Sequence, residues 1–138
     1  MKEVSFTECY DRAEAITRLY FPQVNDLAPY KEHIATLIEH EDLQWIFTVP
    51  DGIVYTEKEL ISSSGQLKRI DRLIVKEKEI YVIDYKSVPM ETADESVSSV
   101  YEDQVREYMK IVHNIYPKRA IKGYLLYMDT CMLQKVNP

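Results

Sequence analysis

Glycine and cysteine are scarce in this chain, and each scarcity excludes a class of chemistry. Only Gly52, Gly65 and Gly123 occur among 138 residues, so there is neither a glycine-rich phosphate loop nor a dinucleotide fingerprint. Any ATP-driven work belongs to a partner or to a part of the protein outside this chain. Cys9 and Cys131 are the only cysteines, too few for a four-cysteine zinc or iron-sulfur site, and they read as reduced thiols. No uncharged apolar run approaches the roughly 20 residues that span a bilayer, and Met1-Lys2-Glu3-Val4 does not open a secretory signal. A cytoplasmic protein with no membrane partner is expected.

What is present suits one soluble domain: 46% of residues are hydrophobic and the net charge is −6. A chain of this size buries roughly two-thirds of its unfolded surface and needs no disulfide or structural metal. The acidity is lopsided. Before Gly65 there are 5 basic and 12 acidic residues, and from Gly65 onward 12 and 11, so the second half can face a polyanion without strong repulsion.

Thr7 caps an expected helix from Glu8 to Tyr20, stopped before Pro22, and Asp26 precedes a second through Ile34, Leu37 and Ile38, with a further turn through Leu43, Trp45 and Phe47. Phe21 to Leu27 and Ser87 to Glu95 read as loops. From Pro50 the pattern alternates. A strand from Ile53, a turn at Ser62 to Gly65, strands Leu67–Val75 and Ile80–Tyr85, and a charged tip at Lys76 to Glu79 describe a three-stranded meander. Ser96 or Ser98 is expected to cap a helix to about Tyr116, where Pro117 ends it, and Ala120 to Met128 forms a last strand, parallel to an earlier one through the helical crossover. The fold class is α/β, a mixed sheet with flanking helices in the order helix, three-strand meander, helix, strand.

The third strand ends Ile83-Asp84-Tyr85-Lys86, placing a carboxylate and an ammonium after an apolar run. Side chains two apart share a strand face, so Asp84 and Lys86 point together and Tyr85 points away, offering its carbonyl between them. Asp71 on the preceding strand comes near Asp84 if the two strands form a hairpin. Two carboxylates, a main-chain carbonyl and a lysine suit Mg²⁺ or Mn²⁺ and metal-assisted phosphodiester hydrolysis, with Lys86 orienting the nucleophile and offsetting charge on the phosphorane. The same spacing suits a plainer arrangement: Asp71 paired with Arg69 or Arg72, and Asp84 with Lys86, at a solvated sheet edge.

Three motifs occur in series: Gly65-Gln66-Leu67-Lys68-Arg69-Ile70-Asp71-Arg72-Leu73, then Ile83-Asp84-Tyr85-Lys86, then Gln104-Val105-Arg106-Glu107-Tyr108. The series resembles the RecB-like branch of the PD-(D/E)XK nuclease superfamily, whose shared core is restriction-endonuclease-like. The resemblance runs from about Leu37 to the C-terminus and takes in Trp45-Ile46-Phe47, Val54-Tyr55-Thr56-Glu57 and Lys122-Gly123-Tyr124-Leu125-Leu126-Tyr127. It implies that Asp71 and Asp84 bind the metal, that the Tyr85 carbonyl is a further ligand and that Lys86 is catalytic. Glu57 resembles the first-strand glutamate, approaching the metal through water or holding the strand, with Glu59 as the alternative.

Gln104 and Tyr108 share a helix face; the resemblance has them hold the site or position DNA, while a core tyrosine and a capping glutamine fit equally. For Lys68, Arg69 and Arg72, phosphate contact competes with a solvated charged edge, and the motif favours Arg72. The implied activity is that of a Mg²⁺-dependent exonuclease module serving DNA repair and recombination, with DNA and a helicase motor, fused or bound, as partners. Two other readings are a catalytically weak nuclease-fold module for DNA binding or scaffolding, and a sugar- or nucleotide-acting enzyme, against which the motif series speaks. One departure stands out. The branch usually carries a histidine on an N-terminal helix in a GxxxH context, and His33, His40 and His113 lie in no such motif. That departure implies a single nuclease domain, residues 1–138, cut from the C-terminal part of a longer helicase-nuclease.

Overall fold

The structure, a computed structural model, describes residues 35–87, 95–128 and 130–138. The expected helix over residues 8–20, the start of the second helix and most of the loop after Ser87 lie outside the described residues. The chain divides into two units, Met1–Pro50 and Asp51–Pro138.

In the first unit, residues 35–39 are helical, a 3₁₀ turn spans Glu41–Leu43, and a single helical turn, α1, spans Gln44–Phe47. His40 caps the 3₁₀ turn, its Nδ1 accepting the N–H of Asp42 at 3.3 Å. Gln44 Nε2 donates to the Ile38 carbonyl at 2.9 Å, fastening α1 to the helical residues 35–39. Leu37, Ile38, Leu43, Ile46 and Phe47 are buried.

The second unit is a five-stranded sheet crossed by one long helix. β1 (Ile53–Ile61), β2 (Leu67–Val75) and β3 (Glu79–Lys86) form the expected antiparallel meander. α2 (Glu95–Ile115) then carries the chain to β4 (Ala120–Tyr127), parallel to β3, and β5 (Met132–Val136) returns antiparallel to β4. The sheet order is β1-β2-β3-β4-β5. Gly65, at φ +82°, makes the Ser62–Gly65 turn, a left-handed conformation that glycine adopts without steric cost.

Two details depart from the sequence expectations. α2 begins at Glu95, so Ser96 and Ser98 lie inside the helix instead of capping it. β5 has no counterpart in the expected order; its five residues do not alternate in burial, which leaves no period-two signal to read.

One face of the sheet packs on α2. Leu73, Val75, Ile80, Val82 and Leu125 meet Val105, Tyr108, Met109 and Val112, and burial of each large apolar side chain contributes about 1.5–3 kcal/mol. The close approach of helix to β4 depends on Gly123, where a methyl group would lie 2.6 Å from Val105 Cγ1 and 2.5 Å from Met109 Sδ.

The strands do not keep one face throughout. Ile70 and Leu73, three apart, belong to the same core cluster, and Tyr55 and Leu60, five apart, both pack against it. Regular alternation puts residues an odd number apart on opposite faces, so both strands switch faces within these intervals. The register pairs Thr56 with Arg72 and Lys58 with Ile70, leaving Glu57 and Asp71 at the level between them. Glu57 has φ +54°, an uncommon conformation for a non-glycine residue and the local cause of the switch in β1.

Candidate active site

The β2–β3 ladder ends at the pair Arg72–Ile83. The next residues outward are Asp71 and Asp84, so the two acids stand where the strands part. Asp71 Oδ2 accepts the main-chain N–H of Tyr85 at 2.8 Å. A side chain thus bridges the gap just beyond the last backbone pair.

Asp84 is buried, and Lys86 Nζ lies 2.8 Å from its Oδ2, as expected for residues two apart on a strand. This contact has ion-pair distance but not hydrogen-bond direction, and Asp84 Oδ2 remains a buried oxygen without a directed donor. Lys86 is held on two further sides. It donates to Gln104 Oε1 at 3.0 Å, and its ammonium stands 4.2 Å from the centre of the Tyr101 ring. Gln104 Nε2 in turn donates to Tyr108 Oη at 2.9 Å. Asp84, Lys86, Gln104 and Tyr108 form one continuous polar line from β3 into α2.

Burial pushes the Asp71 carboxyl up to about 7; the Asp84 charge, a hydrogen bond between the two carboxyls and the Glu57 charge push the same way, against the Tyr85 N–H. Two carboxyls close enough to share a hydrogen bond cannot both ionise cheaply. Burial also raises the Tyr108 phenol, with the Asp84 charge adding.

The remaining sequence candidates are spread around this pair. Glu57 Oε2 is 2.7 Å from Arg69 Nε, so Arg69 pairs with Glu57 instead of Asp71. Arg72 is buried, not at a solvated edge, and its side chain hydrogen-bonds Tyr85, whose phenol burial pushes up to about 12. Lys68 forms an ion pair with Glu107 of α2 at 3.4 Å. Tyr108 is both buried core and a member of the polar line, and among the described residues Gln104 bonds Lys86 and Tyr108 instead of capping a helix end. His40 caps a turn within the first unit, His33 lies outside the described residues, and the exposed His113 makes none of the described site contacts.

Among the described residues, no group of three His, Cys, Asp or Glu side chains is gathered as a metal would require. Among the described residues, the oxygens that fit a hard divalent cation are those of Asp71, whose charge is resisted by burial and by Asp84, and those of Asp84 and Glu57, each with a buried oxygen that lacks a directed donor. A cation bound there would relieve these costs. Tyr101 is the residue the sequence analysis missed; it lies three before Gln104 and seven before Tyr108, and that helical spacing was the available signal.

No protein-family model matches the chain. No curated protein matches it either. A solved structure described as the crystal structure of SSO0001 covers 99% of this chain and 69% of its own, at 16% identity and a TM-score of 0.34.

Proposed function

We propose that this protein is a divalent-metal-dependent nuclease that hydrolyses DNA phosphodiester bonds, an exonuclease-type module working with a helicase motor, fused or bound, in DNA repair and recombination. The reading rests on one observation: Asp71 and Asp84 stand together where β2 and β3 part, and Lys86 is held 2.8 Å from Asp84. The motif series that resembles the RecB-like PD-(D/E)XK nucleases supports the same reading, as does the restriction-endonuclease-like element order proposed with it.

Mg²⁺ or Mn²⁺ held by Asp71 and Asp84 would polarise the phosphodiester and lower the pKa of a bound water. The rest belongs to this chain. Lys86, fixed by Asp84, Gln104 and the Tyr101 ring, orients the nucleophile and offsets the negative charge that develops at phosphorus. Tyr85 contributes its main chain, Gln104 and Tyr108 hold the lysine's position, and Glu57 holds the first strand. Lys68 and Arg69 would meet the DNA strand only by exchanging their partners Glu107 and Glu57, and the buried Arg72 holds Tyr85 instead of a phosphate.

Asp84→Asn and Lys86→Met are each expected to lower Mg²⁺-dependent cleavage of linear DNA by about 10²-fold or more. Cleavage that survives both substitutions overturns the proposal. A second reading, a weakly catalytic nuclease-fold module that binds or scaffolds DNA, is favoured by the lack of a third gathered ligand among the described residues. Calorimetry separates the two readings, because the second predicts no Mn²⁺ binding at millimolar metal.

A further inference from the structure

A groove of about 490 Å³ lies along the C-terminal half of α2 and the start of β4, on residues that take no part in the polar line described above. Met109 and Ile121 contribute apolar surface, and Arg106, Lys110, His113 and Arg119 contribute nitrogen donors. Its volume is in the range that holds a small organic ligand.

The charged side chains that line it are all basic, although the lining also includes Pro138, whose terminal carboxylate is acidic. Between Tyr108 and Met128 there are Lys110, Lys118, Arg119 and Lys122 and no acidic residue, in a chain where acids outnumber bases 23 to 17. Arg106 is already neutralised, by Asp103 at 2.8 Å and Glu102 at 3.2 Å, and also donates to the Asn137 carbonyl at 2.8 Å. Lys122 pairs with Glu79 at 2.9 Å. Among the described residues, Lys110, His113 and Arg119 have no carboxylate partner. Arg119 packs its guanidinium 5.0 Å from the Tyr116 ring centre, which orders the side chain without cancelling its charge.

Cations in the last turn of a helix are favoured by the helix dipole, which accounts for His113 but not for Lys110. It does not account for Arg119, which follows the helix, or for the groove between them. Lys110 and His113 are neighbours on one helix edge, and Arg119 approaches from the next segment, so donors of two elements can converge on one anion. The apolar surface beside them, Ile121 with the edge of the buried Met109, suits an organic body better than a bare ion.

We propose that this groove binds a nucleoside monophosphate, its phosphate on Lys110, His113 and Arg119 and its base on Met109 and Ile121. The site is independent of the phosphodiester chemistry assigned to Asp71 and Asp84. Calorimetry on the whole chain in EDTA, with dAMP, deoxyadenosine and inorganic phosphate as probes, tests it. The expected result is at least tenfold tighter binding of dAMP than of either fragment. Lys110→Ala/Arg119→Ala is expected to weaken dAMP binding at least tenfold with an unchanged circular dichroism spectrum, and Asp71→Asn/Asp84→Asn to leave it unchanged. Absence of dAMP binding, equal binding of deoxyadenosine or phosphate, indifference to the double alanine variant, or loss in the double asparagine variant each overturns the proposal.

Discussion

Asp71 and Tyr85 are joined across the opening between β2 and β3, the Asp71 carboxyl accepting the Tyr85 N–H at 2.8 Å one residue past the last backbone pair. That single contact places Asp71 beside Asp84 and ties the charge state of the pair to the integrity of the sheet.

A pH dependence follows from the burial of Asp71 beside Asp84, which outweighs the Tyr85 N–H. The Asp71 carboxyl is raised from its ordinary 3.8 to about 7, so between those values the folded protein holds a proton that the unfolded chain releases. Stability from this group is therefore full at low pH and is lost as pH rises towards about 7. Asp71→Asn keeps an oxygen for the Tyr85 N–H and removes the titration. At pH 8 it is expected to be more stable than the parent by on the order of 2 kcal/mol, with a flatter dependence between pH 4 and 7. Urea unfolding at several pH values measures both, and identical slopes in the two proteins would contradict the coupling.

Divalent metal is expected to reverse the same penalty. At pH 8 a cation shared by Asp71 and Asp84 stabilises the folded state by about 1.4 kcal/mol when its concentration is ten times its Kd. Thermal denaturation with and without Mg²⁺ reads this as a rise in Tm, and Asp84→Asn is expected to abolish the rise. A rise of equal size in that variant would place the metal elsewhere.

Much of this arrangement was legible in the sequence because it rests on short-range rules. Asp84 and Lys86 share a face because strands repeat every two residues, and Gln104 and Tyr108 meet because helices repeat every 3.6. The meander and the parallel β4 followed from turn residues and the crossover. The face switch was not legible: nothing in Thr56-Glu57-Lys58 marks a residue with φ +54°, since tertiary packing of Tyr55 and Leu60 on one core imposes it. Tyr101 was hidden for a different reason. Its contact with Lys86 spans two elements, so the helical stripe shows that it faces the same way as Gln104 but not what it meets.

Tyr101 and Gln104 are expected to act through Lys86. Gln104→Ala removes the acceptor at 3.0 Å and Tyr101→Leu removes the ring at 4.2 Å while keeping an apolar side chain. Each is expected to lower kcat for DNA cleavage by about tenfold with little change in KM, because each loosens a positioned group instead of a binding contact. Tyr101→Phe retains the ring and is expected to restore the parent rate; a phenylalanine variant as slow as the leucine variant would assign the effect to the hydroxyl.

Gly123 is expected to tolerate no side chain. An added methyl would meet Val105 Cγ1 at 2.6 Å and Met109 Sδ at 2.5 Å. The methionine can rotate away, but the β-branched valine is stiff, so helix and strand must separate. Gly123→Ala is expected to cost about 1–3 kcal/mol, and Val105→Ala in the same chain to recover part of that loss. Strictly additive losses in denaturant unfolding would show that the two positions do not compete for space.

Glu57 combines three costs in one residue: a left-handed backbone, a buried oxygen without a directed hydrogen bond, and a negative charge that helps to raise Asp71. Against them stands an ion pair to Arg69, whose side chain is 65% exposed, and such pairs contribute little. Asparagine accepts the left-handed region more readily and carries no charge. Glu57→Asn is therefore expected to raise stability by about 1 kcal/mol and to lower the Asp71 pKa towards its ordinary value. If Glu57 were only a structural strand residue, cleavage would be unchanged; a stabilised variant with reduced Mg²⁺-dependent cleavage would identify the strain as serving the site. Titration of Asp71 by carbonyl-detected NMR, alongside urea unfolding, checks the two physical effects separately, and a destabilised variant would show that the Arg69 pair outweighs the backbone strain.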